Sequence, residues 1–152
     1  MHYPHRRAKK KGNEDEAIGR SRGGLSTKIN VGVDALGNPV RFILTPGQVH
    51  DILQAEDLIS GISFEHLLAD MGFDSDRFRN QIAECGAQAV IPSRRARSQA
   101  IPYDKDIYRD RNLVERFINK IKHFRRIATR YEKTALSFAS MLFLVGALIW
   151  LM

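Results

Sequence analysis

Residues 65–93, "EHLLADMGFDSDRFRNQIAECGAQAVIPS", decide the fold. The apolar run "HLLA" is too short for a helix and ends at Asp70, as a buried strand does when it runs out into a turn. Asp74 or Ser75 stands where a helix needs a side-chain oxygen for its first unpaired N–H groups, and Gly86 stands where such a helix stops. "AQAVIPS" is a second short apolar run, closed by Pro92. Strand, helix and strand in this order predict a βαβ unit with a parallel pair.

Upstream, residues 25–45 read "LSTKINVGVDALGNPVRFILT". Apolar side chains alternate through Ile29, Val31 and Val33, then through Val40, Phe42 and Leu44. The turn-forming "DALGNP" lies between, so an antiparallel hairpin is expected. "PGQVHDILQAEDLISGI" follows as a turn and a short helix with Ile52, Leu53, Ala55 and Leu58 on its apolar side. Downstream of the βαβ unit, "RRARSQAIPYDKDI" is a basic, proline-marked connection. A long helix is expected from Arg109 to about Lys133, and a second, apolar helix closes the chain. The order fits a ribonuclease-H-like α/β fold, a mixed sheet flanked by helices. Such a fold begins with one further strand, which is either missing here or lies in residues 1–24. Those residues, rich in Lys and Arg with a short acidic run and "GRSRGG", read as a basic flexible arm. Residues 25–152 read as the folded, incomplete domain.

The 152 residues are enough to bury a core, and a 43% hydrophobic content excludes wholesale disorder. The single cysteine, Cys85, rules out a disulfide framework or a cysteine-based zinc site within one chain and reads as a small buried hydrophobe. The N-terminus has no apolar segment of a signal peptide. Residues 135–152 run 18 residues without a charge, at the lower limit for a membrane span, and read as a core helix that includes Trp150. Cytoplasmic residence beside the nucleoid, with no membrane association, is the expectation.

Charge is unevenly spread. Residues 1–28 carry 8 Lys/Arg against 3 Asp/Glu, residues 29–93 carry 3 against 9, and residues 94–133 carry 13 against 5. Two basic blocks flanking an acidic centre suggest a polyanion partner, usually nucleic acid, beside the plainer reading of a solvated basic surface.

Residues 108–122, "YRDRNLVERFINKIK", set the carboxylate of Glu115 among five basic side chains. On a helix, with Arg111 at zero, Lys122 falls at about 20°, Glu115 at about 40°, and Tyr108 and Arg126 at about 60°. Leu113, Phe117, Ile121, Phe124 and Ala128 form a separate apolar stripe between about 200° and 280°. An ordinary i,i+4 ion pair, Arg111 with Glu115, accounts for this pattern too. Asp70 at a strand end stands where α/β sheets hold ligands, although a turn or cap aspartate explains it equally well. Two carboxylates, one from a strand end and one from a helix face, suit Mg²⁺ or Mn²⁺, and adjacent cations suit DNA phosphates. His2 and His5 lack a Cys/His cluster and read as arm residues.

The spacing Tyr108-x2-Arg111-x3-Glu115-x6-Lys122 resembles the Tyr-Arg-Glu-Lys signature of bacterial insertion-sequence transposases of the DDE class. The closest likeness is to the IS-five type within the IS-four superfamily. "GRSRGGLSTKI", "GNPVRFILTPGQVHD" and "LLADMGFDSDRFR" are similar to the same family, so the resemblance covers nearly all of the chain from Gly19 onward. It implies a ribonuclease-H-like catalytic core that uses Asp, Asp and Glu with divalent metal to cut and join DNA. Asp70 matches the second acid and Glu115 the third. Tyr108, Arg111 and Lys122 match signature residues near the DNA end, with Arg126 beside them. His50 and Asp51 match a recurrent pair with a structural role. The family's first Asp has no match, because Asp15 lies in an acidic run and Asp34 in the hairpin loop. The resemblance thus points to the downstream part of a split or truncated transposase. Its partners would be transposon ends, target DNA, and further copies or the upstream product. The alternative is a catalytically inactive DNA-binding fragment that regulates a full-length transposase.

Overall fold

The computed structural model describes residues 17–21 and 24–152, and of residues 20, 21, 24 and 25 the backbone alone. His2, His5, Asp15 and most of the expected arm lie outside the described residues.

Strand β1 (Gly19–Ser21) pairs antiparallel with β2 (Gly24–Val33), which pairs antiparallel with β3 (Pro39–Pro46). The residue-24 boundary expected for the arm therefore falls inside a hairpin. The β2–β3 register sets Ile29 opposite Leu44 and Val31 opposite Phe42, so the alternating apolar residues share one face. Asp34 closes the connecting loop by accepting from the Leu36 and Asn38 amides, each at 2.9 Å. Gly37 in that loop has φ 85°, which only glycine adopts freely.

A 3-10 turn at Asp51–Gln54 leads into α1 (Ala55–Ile59). Ala55 and Ile59 are buried, whereas Leu53, expected on the apolar side, is 66% exposed. Asp51 pairs with Lys28 of β2 at 2.8 Å, which ties this turn to the sheet. Then β4 (His66–Leu68), α2 (Asp76–Glu84) and β5 (Gln88–Val90) form the βαβ unit, with β4 and β5 parallel. The mixed α/β character holds. Among the described residues, however, the strands form two small sheets, one of three antiparallel strands and one of two parallel strands, and not one continuous sheet.

The long helix expected over residues 109–133 is broken. α3 (Lys105–Tyr108) passes through a 3-10 turn at Arg109–Arg111 into α4 (Asn112–Lys122), and a separate α5 (Arg125–Ala128) follows. The break lies at Phe124, whose φ −82° and ψ 104° are extended. Its physical cause is which side chain gets buried. A continuous helix would put Ala128 on the apolar stripe and Ile127 about 40° outside its edge. The break buries Ile127 and leaves Ala128 exposed, a gain of the extra methylenes of isoleucine at about 0.8 kcal/mol each.

Helix α6 (Ala135–Trp150) packs against β3, with Phe138, Leu142, Val145 and Ile149 buried. These residues join Phe117, Ile121 and Ile127 in one core over the antiparallel sheet. A second core gathers Ala55, Ile59, Phe78, Ile82 and Ile91 around the parallel pair. Two expectations of burial fail. Trp150 is 53% exposed and instead donates its indole N–H to the Pro39 carbonyl at 2.8 Å. Cys85 follows the last turn of α2 and is exposed, because the buried face of that helix is carried by Phe78 and Ile82. Among the described residues, no helix is long and apolar enough to cross a membrane.

Candidate functional site

Asp70 lies just past the end of β4. Its side chain accepts from the Gly72 amide at 2.8 Å, and its carbonyl accepts from the Phe73 amide at 3.0 Å, so it caps the 3-10 turn Met71–Phe73. The turn reading of this residue is thus realised. The turn also leaves Asp70 exposed, with only Oδ1 engaged among the described residues. A Cβ on Gly72 would stand 2.8 Å from that oxygen, so the backbone approaches the carboxylate as closely as it does because the residue is glycine.

Helix α3 packs beside β5, the partner of β4, and thereby brings Tyr108 toward the strand end. The Asp104 carboxylate caps α3 by accepting from the Asp106 and Ile107 amides. The Tyr108 and Tyr103 rings meet edge to face at 5.2 Å between centroids. Burial pushes the Tyr108 hydroxyl above its ordinary pKa. The Arg111 charge opposes this, while Tyr103 and the negative charge of Asp70 add to it. The 3-10 turn between α3 and α4 brings residues three apart into line, and the Arg111 guanidinium lies 5.9 Å from the centre of the Tyr108 ring. Arg111 in turn forms an ion pair with Glu115. Tyr108, Arg111 and Glu115 thus form a run of interacting groups, while Asp70 stands on a separate element, at the turn after β4. Asp110, a second acid of the same stretch, is exposed in the 3-10 turn.

Lys122 is exposed in the last turn of α4. Arg126 is not on that helix. It belongs to α5, beyond the break, and donates to Glu132 at 2.9 Å, whose side chain is 5% exposed. The helical projection that put Arg126 beside Arg111 fails for the reason that breaks the helix, the burial of Ile127.

The donor chemistry at Asp70 and Glu115, carboxylate oxygen with one atom of Asp70 unengaged, suits a hard divalent cation. The donor number falls short, because no group of three or more His, Cys, Asp or Glu side chains that could hold a metal occurs among the described residues.

The residue that sequence reasoning undervalued is Asp74. The helix cap at this point is Ser75, which accepts from the Phe78 amide. Asp74 is instead 2% exposed and accepts four hydrogen bonds. They come from Arg79 Nε at 2.7 Å, the Arg94 amide at 2.8 Å, and two nitrogens of Arg97 at 2.9 and 3.0 Å. Burial pushes its carboxyl up, but bonds from Arg97, the Arg94 amide and Arg79, with the Arg79 charge, outweigh burial and hold it well below the usual carboxylate range. The bonds to Asp74 and Asp76 raise Arg97 in the opposite direction. The basic run 94–97 is thus partly consumed inside the molecule, a use invisible to charge counting.

The chain matches the family model described as Transposase DDE domain over residues 2–150. It is 40% identical over 129 residues to a Brucella ovis protein named as a transposase for insertion sequence element IS6501, covering 84% of this chain and 99% of that protein. It is also 32% identical over 121 residues to a Burkholderia cepacia protein named as a transposase for insertion sequence element IS402, covering 72% of this chain and 55% of that one. No solved structure matches the chain.

Proposed function

The chain belongs to the Transposase DDE domain family, and from that premise we propose that it is the catalytic portion of an insertion-sequence transposase of the IS-five type. In this reading it has a ribonuclease-H-like core and cuts and joins DNA by metal-dependent phosphodiester transfer. The observation that carries the reading is the Tyr108–Arg111–Glu115 run, a carboxylate held by DNA-compatible side chains on one helical stretch, with a second, exposed carboxylate, Asp70, at the end of β4.

Asp70 and Glu115 would hold Mg²⁺ or Mn²⁺. When bound, the metal supplies activation of the attacking water or 3′-hydroxyl and stabilisation of the departing oxygen. The chain's own residues do the rest. Tyr108, with its hydroxyl held protonated, donates to a phosphate oxygen at neutral pH. Arg111 orients Glu115 by the ion pair and offers its remaining N–H groups to the DNA backbone, with Lys122 further along α4, while Arg126 stands apart on α5, paired with Glu132. A third carboxylate must come from outside the described residues, and an upstream transposase product or another copy of the chain is the proposed source. The setting is the bacterial cytoplasm, at the nucleoid.

The donor shortfall supports a second reading, a DNA-binding fragment that regulates a full-length transposase without cleaving. One experiment separates them. The chain, alone and with the upstream frame's product, is incubated with DNA carrying the flanking terminal repeats and Mg²⁺ or Mn²⁺. Metal-dependent cleavage that disappears in both Asp70→Asn and Glu115→Gln is the expected result. Cleavage retained by either variant overturns the site assignment. Salt-sensitive binding with no cleavage in any combination establishes the second reading.

A further inference from the structure

The turn that presents Asp70 is gripped from its far side. Arg94 Nη2 donates to the Gly72 carbonyl at 2.9 Å, and Arg94 Nε approaches the Met71 carbonyl at 3.4 Å. Gly72 is thus held twice, by Asp70 at its N–H and by Arg94 at its carbonyl. Arg94 is itself fixed, because its own amide donates to Asp74 Oδ2. The second oxygen of Asp74 binds Arg79, whose Nη2 reaches the Ile91 carbonyl beyond β5 at 2.7 Å. One buried carboxylate therefore ties together α2, the segment after β5, and the turn after β4.

We infer that Asp74 is a positioning residue, which acts through Arg94 to hold the 70–73 turn in the shape that presents the Asp70 carboxylate. The inference rests on the reading of Asp70 as a metal-binding residue. A merely structural aspartate would need Arg79 and Arg97 to neutralise it. It would not need an arginine whose backbone it fixes and whose side chain spans back to the two carbonyls beside Asp70. The Gly72 amide touches the ligand directly and Arg94 acts one step behind it; loss of a group that orients a metal ligand commonly changes metal affinity by about 10- to 100-fold, and the lower end of that range applies to Arg94.

The test uses the full chain and three variants. Arg94→Met removes the grip on the turn and leaves the Arg94 amide bond to Asp74 in place. Asp74→Asn removes the hub, and Asp70→Asn removes the ligand. Three quantities are read: the thermal midpoint, hydrogen exchange of the Gly72 amide by NMR, and the Mn²⁺ concentration that half-broadens the Gly72 resonance. In Arg94→Met the Gly72 amide should exchange about tenfold faster, as loss of one hydrogen bond from a charged donor predicts. The Mn²⁺ midpoint should rise about tenfold with the thermal midpoint nearly unchanged. Asp74→Asn should show both effects with a lower thermal midpoint. If it does not fold, Arg94→Met decides alone. If Asp70→Asn abolishes the broadening while Arg94→Met changes neither Gly72 exchange nor the Mn²⁺ midpoint, the positioning role is overturned and the Asp70 assignment stands. Should Asp70→Asn leave the broadening unaltered, the assignment itself falls and the inference with it.

Discussion

At the scale of single residues, this sequence hides its most constrained carboxylate. Asp70 and Glu115 announce themselves, one by ending a strand and the other by interrupting a basic face. Asp74 does not, because its partners Arg94 and Arg97 lie twenty or more positions away in what reads as a connection. Only the fold brings them together. The acid response follows from that environment. Asp74 in the folded chain binds a proton far less readily than in the unfolded chain, where it titrates near the ordinary value of about 4. Its contribution is therefore fully present above that value. It is lost progressively as pH falls below it toward the depressed folded value, since the unfolded chain takes up the proton first. Asp74→Asn should cost about 3 kcal/mol or more at pH 7, since Arg79 and Arg97 are left without their buried counter-charge. Its stability should then decline less steeply than that of the parent between pH 5 and pH 2.5. Urea midpoints across that range measure both. Parallel acid limbs in the two proteins would show that Asp74 is not the group responsible.

At the scale of elements, what could be read in advance was what periodicity encodes. The hairpin and the βαβ unit follow from alternation, short apolar runs and turn residues, and β2, β3, β4 and β5 stand where those signals put them. The stretch after Lys122 was not legible, because a 3.6-residue period assumes the helix goes on. It cannot report that a bend to bury Ile127 is worth more than continuing with Ala128. Helix α6 misleads in another way. It is apolar nearly all round, so no moment marks its inner face, and Phe143, Leu144 and Leu148 remain exposed while Leu142 and Val145 are buried. The inner face is marked instead by Gly146. A Cβ there would meet the Phe42 ring at 3.0 and 3.3 Å and Pro39 at 3.4 Å, so the glycine sets how closely α6 approaches β3. Gly146→Val should push that helix off the sheet and lower stability by about 1–3 kcal/mol, as overpacking does. The loss should appear in chemical denaturation, with Trp150 fluorescence reporting the same step, since its indole is anchored to Pro39 of β3. A neutral result would mean that the α6–β3 contact is loose enough to take the added side chain.

At the scale of the whole molecule, the count of 24 Lys and Arg overstates the cations available to a polyanion. Arg79 and Arg97 are consumed by Asp74, and Arg94 by the turn carbonyls. Arg109 pairs with Asp106, Arg111 with Glu115, and Arg126 with Glu132. The exposed cations of α4, namely Arg116, Lys120 and Lys122, project from the helix that also carries Glu115. DNA held along this helix by Lys122 would lie with its backbone beside Glu115, one of the two candidate acids. Each phosphate contact releases condensed counterions, so affinity for duplex DNA should fall linearly in log–log form with salt. Lys122→Ala should weaken binding about equally for all sequences and reduce the salt slope by about one. Arg97→Met should leave the slope unchanged, because its charge is already spent inside the molecule. Binding isotherms at several salt concentrations read both slopes. Equal loss of slope in the two variants would mean that the 94–97 run, and not α4, faces the DNA, and the acids would then lie away from the phosphate they are proposed to act on.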